Sequence, residues 1–358
     1  MQSSLELQEI IKGIKPVSGE WRLKARNYLK QLAIPQGSLG ELLVLAEQLA
    51  AIKETLKPSV RRKAVVTMAG DHGVVKEGVS AFPQEVTPQM VNNFVRGGAA
   101  INVLAAVAGA EVLVVDMGVA ANLDELTGAG KILSYKISSG TCNMARGPAM
   151  TRTQAGQALQ SGIEIVGNLV RDKVELLATG DMGIGNTTAS SAILAVLSGQ
   201  PVSKVTGKGT GISDAALENK IRVIEKALAL NKPDPQDPLD VLAKVGGFEI
   251  GGIAGVILGA AYYRVPVVVD GFISSAAALV AKALAPAAVD YMIAAHRSRE
   301  YGHSLLLAEL GLNPLLNLNL RLGEGTGAAL AMHIVEAAAQ VICRMLTFEA
   351  AGVSDPEQ

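Results

Sequence analysis

The chain has 358 residues, of which 49% are hydrophobic, 3% are aromatic and 38 are glycine. This length and composition predict a folded protein with a large core, in one or two domains, and exclude a disordered chain. Lys and Arg number 32 against 33 Asp and Glu, so with few aromatic rings no basic or stacking surface for nucleic acid is predicted.

No segment predicts export or membrane insertion. The first residues lack the apolar core of a signal peptide, and the apolar, uncharged stretch at residues 250–263 is shorter than the ~20 residues that span a bilayer. Cys142 and Cys343 have no CxxC or Cys/His zinc spacing, which favours free thiols packed in the fold. The sequence therefore predicts a cytoplasmic protein without a membrane partner.

Helical and strand-like segments alternate along the chain. Residues 1–57 show the helical spacing of apolar residues, and Pro58 ends that region. Beyond it, short apolar runs predict strands at residues 64–69, 112–115, 174–178, 265–269 and 291–294. Helical spacing predicts helices at residues 90–108, 189–197, 250–263 and 328–345.

Strands that are apolar on both faces and alternate with helices indicate an α/β fold, a Rossmann-like parallel sheet with flanking helices. In such sheets ligands bind beyond the carboxyl ends of the strands. Asp71, His72, Asp181 and Asp270 all fall at predicted strand ends. Each either serves a bound ligand or caps a turn, and the predicted site is assembled from several loops.

A glycine turn at residues 183–188, Gly-Ile-Gly-Asn-Thr-Thr, follows a strand and opens a helix. Its backbone N–H groups and threonine hydroxyls predict a phosphate site at the helix N-terminus, the alternative being a plain glycine turn with a threonine cap. The turn matches neither a Walker A loop nor GxGxxG. Lys220, at the edge of an apolar helix face, either binds the same anion or extends to solvent.

A single carboxylate, Glu324, stands in the glycine turn Gly323-Glu324-Gly325-Thr326-Gly327 before a long apolar helix. A flat ligand can approach such a turn closely, and partial burial raises the pKa of the carboxyl toward that of a working base. The alternative is a structural turn that places a negative charge near the helix N-terminus.

No metal site is predicted. His296 and His303 are seven residues apart, which places them on one face of a predicted helix, but no carboxylates stand at ligand spacing. No GxSxG nucleophile elbow is present either.

Four motifs in order extend these patterns: Ala-Gly-Asp-His-Gly-Val at 69–74, Gly-Val-Ser-Ala-Phe-Pro-Gln-Glu-Val-Thr at 78–87, the turn at 180–188, and Arg-Leu-Gly-Glu-Gly-Thr-Gly at 321–327. Together with His-Arg-Ser-Arg-Glu at 296–300 and Gly302-His303, they resemble the nicotinate-nucleotide–dimethylbenzimidazole phosphoribosyltransferases over nearly the whole chain.

The resemblance implies transfer of phosphoribose from nicotinate mononucleotide to 5,6-dimethylbenzimidazole, giving alpha-ribazole 5'-phosphate and nicotinate for the nucleotide loop of cobalamin. It implies Glu324 as the base. Asp181, where many members have Glu, is the candidate for an anion that stabilises an oxocarbenium-like transition state. The resemblance further assigns the nucleotide phosphate and ribose to Gly183, Gly185, Asn186, Thr187, Lys220 and Ser298, and the benzimidazole pocket to Ser80, Phe82, Gln89 and Leu322.

The family architecture implies a large parallel-sheet catalytic domain at residues 59–327, a small helical domain built from residues 1–58 and 328–358, and a homodimer. No cofactor and no metal are implied, because the donor carries one phosphate monoester. Two other functions stay open: a nucleotide-dependent oxidoreductase, disfavoured by the missing GxGxxG, and a non-catalytic protein that binds a nucleotide or a benzimidazole.

Overall fold

The computed structural model describes residues 7–209 and 211–354, and within them it has one sheet of six strands, all parallel. The spatial order is β3-β2-β1-β4-β5-β6, so the order reverses between β1 and β4. Ligands of such sheets bind at this reversal, beyond the carboxyl ends of the strands. The strands are β1 Lys63–Gly70, β2 Ala110–Gly118, β3 Leu133–Ser134, β4 Leu176–Met182, β5 Val267–Val269 and β6 Met292–Ala294.

Helices cover both faces of the sheet, as the sequence predicted. Arg152–Arg171, Phe248–Tyr262 and Phe272–Leu284 share a core on one face, and Glu41–Lys53, Ala100–Ala108 and Thr326–Arg344 share a core on the other. The remaining α-helices are Leu7–Gly13, Gly19–Leu29, Val86–Val95, Asp124–Gly128, Asn186–Ser198, Val202–Val205, Asp214–Asn231, Pro238–Val245, His303–Leu310 and Phe348–Ala351, with 3-10 turns at Gly73–Glu77 and Pro286–Tyr291.

Helices from the two ends of the chain pack together. Glu41–Lys53 lies against Gly19–Leu29 on one side and against Thr326–Arg344 on the other. Thr326–Arg344 also packs on β4 and β5, so these helices share their core with the sheet. The division into residues 1–58 with 328–358 and residues 59–327 stays a prediction, and residues 1–6 and 355–358 of it lie outside the described part.

Thr326–Arg344 is the one helix in the described ranges that is long and apolar enough to cross a membrane by length and composition. Its most apolar window is 56% buried inside the protein. The apolar residues of this helix are accounted for by its packing on the sheet and on Glu41–Lys53, which is the behaviour of a core helix.

Several predicted elements are corrected. The helix predicted at residues 90–108 is two helices, because Gly97 takes a left-handed φ of +75° that a helix cannot continue through. The strand predicted at 174–178 runs instead from Leu176 to Met182, which places Asp181 inside the strand. Residues 1–57 are not continuously helical, since residues 14–18 and 30–40 break the described part of that region.

The prediction that His296 and His303 share a helical face is wrong. His296 pairs with Leu316 in an isolated bridge after β6, and His303 is the first residue of His303–Leu310. Cys142 is exposed rather than packed in the fold, whereas Cys343 is partly buried.

Two helices cross with their backbones in contact. A Cβ atom on Gly162, in Arg152–Arg171, would lie 2.0 Å from the carbonyl oxygen of Gly252, in Phe248–Tyr262. A Cβ on Gly255 would likewise lie 2.1 Å from the carbonyl oxygen of Leu159. Such close approach holds Phe248–Tyr262, and Glu249 near its start, at a fixed depth beneath the sheet.

We expect Gly162→Ala to lower the free energy of unfolding by roughly 1–3 kcal/mol or more, because the added methyl group has no space and the helices must separate. Gly156→Ala is the matched control, since it makes the same change in the same helix with nothing within 4 Å. That control should raise stability by about 0.5–1 kcal/mol. Urea unfolding of both variants checks this, and equal effects would contradict the close crossing.

Candidate active site

A cavity of about 110 Å³ opens at the carboxyl ends of the central strands. Six of the residues predicted for the site line it: Asp181, Gly183, Asn186, Thr187, Ser298 and Leu322. Gly209, His296, Glu300 and Arg321 line it as well. The structure thus gathers side chains from β4, the 296–300 loop and the 321–323 loop around one space.

The loop that carries Glu324 has an unusual backbone. Gly323, Glu324 and Gly325 have φ values of +87°, +64° and +97°, so three consecutive residues are in the left-handed region. A non-glycine residue there is strained, and such strain concentrates at functional sites. The Thr67 hydroxyl donates to the Glu324 carbonyl at 2.9 Å, and the Glu324 N–H donates to the Asp181 carbonyl at 3.2 Å.

Two further contacts fix the loop in place. Gly180 of β4 has no room for a side chain, because a Cβ would lie 2.3 Å from the Glu324 carbonyl oxygen. Asp270, after β5, accepts hydrogen bonds from Gly325 N at 3.2 Å and Ala328 N at 2.9 Å. Asp270 therefore serves the free N–H groups at the start of Thr326–Arg344.

The Glu324 carboxyl group is buried, with 4% of the residue exposed. Its Oε2 accepts a hydrogen bond from Ile101 N at 3.3 Å, in the first turn of Ala100–Ala108. Burial raises the pKa of Glu324, the Ile101 N–H partly opposes this, and nearby Asp270 adds to the rise. A carboxyl group with a raised pKa is the form suited to accept a proton near neutral pH.

Asp181 lies beside the Glu324 loop, with a Cβ on Gly323 falling only 3.1 Å from its Oδ2. Oδ2 accepts a hydrogen bond from Asn186 Nδ2 at 3.0 Å, and Oδ1 is buried with no partner. Burial raises the pKa of Asp181 well above its usual value, and the carboxylates of Asp270, Glu249 and Glu324 add to the rise.

The predicted phosphate turn begins the helix Asn186–Ser198, with Gly185 at its N-cap and a φ of +96°. Lys220 is 1% exposed and donates from Nζ to Thr187 Oγ1 at 2.7 Å. The alternative of a solvent-extended lysine is therefore wrong. Burial lowers the pKa of Lys220 to about 8, so it still carries a positive charge at neutral pH, next to the free N–H groups of the helix.

Ser298 is held by a buried histidine. Its N–H donates to His303 Nδ1 at 2.8 Å, and His303 Nε2 lies 3.0 Å from Ser275 Oγ. Burial lowers the pKa of His303 to about 3, and the charges of His296 and Arg297 act in the same direction. A neutral ring that accepts a hydrogen bond at Nδ1 carries its proton on Nε2. The Nε2–H group therefore donates a hydrogen bond to the Ser275 hydroxyl.

The four residues predicted for the acceptor pocket are not brought into one cavity. Ser80, Phe82 and Gln89 lie outside the cavity described above, and Phe82 and Leu322 are 50% and 59% exposed. Gln89 is in Val86–Val95, which contacts the phosphate turn through a hydrogen bond of 3.2 Å from Ile184 N to Thr87 Oγ1. This helix lies over the ends of β1, β2 and β4.

A buried pair beneath the site escaped prediction. His72 Nε2 lies 2.5 Å from Glu249 Oε1, and both residues are buried. Burial lowers the pKa of His72, but Glu249 and Asp71 outweigh it and the net shift is upward. The available signal was Glu249 itself, because an acid within the apolar stretch 246–263 needs a partner.

Two charged residues of the cavity wall were also missed. Arg321 Nη1 lies 3.4 Å from the Gly209 carbonyl oxygen. Burial raises the pKa of Glu300, while Lys220, the Gly209 N–H and Arg321 act to lower it. In the described part of the chain no three His, Cys, Asp or Glu side chains are placed to hold a metal ion.

The neutral state of His303 predicts a pH-dependent stability. The unfolded chain takes up a proton near the ordinary pKa of 6.5, but the folded chain resists it down to about 3. The contribution of neutral His303 to the free energy of unfolding is fully present above pH 6.5. It is lost as the pH falls below that value, by up to about 1.4 kcal/mol per pH unit.

The stability difference between the wild type and His303→Gln should therefore shrink between pH 7 and pH 4, since other titrating groups are common to both proteins. Urea unfolding at each pH measures it. A difference that stays constant over this range would contradict the neutral histidine.

Comparison with known proteins agrees with this geometry. A family model described as "Phosphoribosyltransferase" matches residues 14–353. Nicotinate-nucleotide–dimethylbenzimidazole phosphoribosyltransferase of Syntrophotalea carbinolica is 57% identical over 348 residues, 97% of this chain and 98% of that protein. The protein of the same name from Syntrophobacter fumaroxidans is 55% identical over 351 residues, 98% of this chain and 99% of that one.

A solved structure extends the similarity to three dimensions. The crystal structure of CobT from Thermus thermophilus matches with a TM-score of 0.89 and 48% sequence identity, covering 94% of this chain and 99% of that one. Fold, motifs and similarity over the full length agree, and the chain therefore belongs to the nicotinate-nucleotide–dimethylbenzimidazole phosphoribosyltransferase family.

Proposed function

We propose that the chain transfers phosphoribose from nicotinate mononucleotide to 5,6-dimethylbenzimidazole, giving alpha-ribazole 5'-phosphate and nicotinate with inversion at the anomeric carbon. The observation that carries the proposal is Glu324, a buried carboxyl group in a strained turn whose preceding residues, Leu322 and Gly323, line the cavity. The product supplies the nucleotide loop of cobalamin.

The phosphate end of the donor fits the Lys220 side of the cavity. Lys220 contacts Thr187, and Thr187 and Ser298 both line the cavity. The helix Asn186–Ser198 begins at this point, so its free N–H groups and the positive end of its dipole favour an anion there. A single phosphate monoester is neutralised by these groups. The reaction we propose uses no cofactor and no metal.

The proton chemistry needs one base. One ring nitrogen of dimethylbenzimidazole attacks C1' with its lone pair, and the C1'–N bond to nicotinate breaks with its electron pair going to the pyridine nitrogen. Nicotinate leaves as a neutral ring, so no general acid is required. The second ring nitrogen of the acceptor loses its proton to Glu324.

The direction of the Glu324 carboxyl group supports separate places for the acceptor and for the phosphate of the donor. Its contact with Ile101 turns it toward residues 86–101, the segment that carries Gln89, while the phosphate turn lies on the other side of Asp181. We propose that the acceptor binds on the Gln89 side, with Ser80, Phe82 and Leu322 around it. Attack from that side, opposite the leaving base, gives inversion.

We further propose that the protein works in the cytoplasm as a homodimer. The apolar side chains of Phe82 and of Leu322, which lines the cavity, are exposed, and this supports a subunit contact that covers them. Of the other functions considered, an oxidoreductase predicts hydride transfer, and a non-catalytic binding protein predicts saturable binding without turnover.

The experiment that tests the proposal mixes the purified protein with nicotinate mononucleotide and dimethylbenzimidazole, with a chelator present. Mass spectrometry should find nicotinate and alpha-ribazole 5'-phosphate in equal amounts. Binding of the nucleotide without either product would favour the non-catalytic protein, and product formation that stops with the chelator would contradict the metal-free reaction.

We expect Glu324→Gln to bind the mononucleotide nearly as the wild type does and to turn over about 10²- to 10⁴-fold more slowly, the usual contribution of a positioned base. Glu218→Gln, an exposed change outside the site, is the control. Calorimetry measures binding and the product assay measures turnover. Unchanged turnover in Glu324→Gln would show that Glu324 is not the base.

A further inference from the structure

We propose that Asp181 acts as a neutral carboxylic acid that donates a hydrogen bond to the ribose of the bound mononucleotide, instead of acting as an anion that stabilises the transition state. This inference rests on the proposed function and assigns Asp181 its part within it. It is carried by the charges around Asp181 and by the one oxygen of this residue that has no partner.

Three other carboxyl groups lie close enough to Asp181 to act on its charge. Glu324 approaches from the loop, Asp270 from the end of β5, and Glu249 from the helix on the opposite face of the sheet. Carboxylates that share one buried site cannot all ionise, and one of them keeps its proton. Burial adds to this effect at Asp181 and raises its pKa.

The basic side chains nearby are engaged elsewhere. His72 pairs with Glu249 at 2.5 Å, and His296 lies 3.6 Å from Asp270 Oδ1. Lys220 contacts Thr187. Arg321 contacts the Gly209 carbonyl, and no ion pair reaches Asp181 within the described residues.

The partners of the four carboxyl groups decide which one holds the proton. Asp270 accepts two backbone N–H groups at a helix start, which favours its anion. Glu249 has His72 as its partner, and Glu324 accepts the Ile101 N–H at the start of another helix. Asp181 accepts only a neutral side-chain amide, so its anion is the least stabilised of the four.

The free oxygen of Asp181 is where the proton belongs. Oδ2 is taken by the Asn186 amide, and Oδ1 is buried without a partner. An O–H at Oδ1 turns an unsatisfied acceptor into a donor that a ligand can use. Asp181 lines the cavity, so we place there the ligand atom that would accept from this O–H.

The position of Asp181 identifies the part of the ligand that it meets. Asn186, next to the phosphate turn, contacts Asp181 on one side, and Gly323, next to Glu324, packs against it on the other. A mononucleotide with its phosphate at Thr187 and its reacting carbon toward Glu324 passes over Asp181 with its sugar. The ribose oxygens are the acceptors at this point.

A neutral Asp181 also matters for Glu324. A second ionised carboxylate beside the base would repel its negative charge and raise the pKa of Glu324 further. With the proton on Asp181, Glu324 is free to ionise and to accept the proton of the benzimidazole. Asp181 is thereby the hydrogen-bond donor, and Glu324 is the base.

The kinetic test compares Asp181→Asn with Asp181→Ala. Asparagine is neutral, keeps an acceptor for Asn186 and offers an N–H in place of the O–H, whereas alanine removes the donor. We expect kcat/KM of Asp181→Ala to fall by about 5- to 150-fold and Asp181→Asn to retain roughly ten times the activity of Asp181→Ala. Equal losses in both variants would show that the negative charge of Asp181 matters. An unchanged kcat/KM in Asp181→Ala would show that Asp181 makes no hydrogen bond to the ribose.

A spectroscopic test reads the proton directly and does not depend on turnover. In protein labelled with carbon-13 aspartate, the infrared difference between wild type and Asp181→Asn at pH 7 should contain the C=O band of a protonated carboxyl group. A carboxylate band there would overturn the proposal. If the wild type shows the protonated band but forms no alpha-ribazole phosphate, the proposed function fails and the neutral Asp181 stands.

Discussion

The placement of the loop that carries Glu324 depends on one buried interaction, the acceptance of two backbone N–H groups by Asp270. The carboxylate at the end of β5 holds Gly325 and Ala328, so the helix Thr326–Arg344 starts at a fixed point above the sheet. Glu324 lies two residues before that start, and its strained backbone is imposed by the helix on one side and by β4 on the other. An unmet N–H at this depth costs about 1–3 kcal/mol, which makes the position of the loop difficult to change.

Glycine serves the site mainly by letting backbones touch. Gly180 allows the Glu324 carbonyl to lie on β4, and Gly183 allows the phosphate turn to lie on the Gly70 carbonyl, which a Cβ would approach to 2.3 Å. The polar groups of β1, β4 and the Glu324 loop consequently lie close together, and larger residues at the glycine positions would move them apart. The raised pKa values of Glu324 and Asp181 both begin with the burial that this close packing produces.

The prediction of the parallel sheet is confirmed, and the phosphate site stays a prediction; both come from local patterns. Apolar strands between helices indicate covered sheet faces, and a glycine turn between a strand and a helix indicates an anion site. The short strand β3, two exposed residues at the sheet edge, has no such pattern. The sequence left open whether Lys220 is buried or extends to solvent, because helical spacing does not show which element packs against the side chain. The His72–Glu249 pair joins residues 177 positions apart, which no local pattern reveals.

The hydrogen bond between the Thr67 hydroxyl and the Glu324 carbonyl links residues 257 positions apart, and this separation bears on how the protein is made. Contacts so distant in sequence form late, because the chain between them must be ordered first. During synthesis the strands and the phosphate turn leave the ribosome well before the base does, and larger proteins fold progressively as they emerge. A chain that stops short of residue 324 contains the residues of all six strands and of the glycine turn at 183–188 but lacks the Glu324 loop and the helix Thr326–Arg344. The Glu324 loop is therefore completed only with the last helices, when the second face of the sheet is closed.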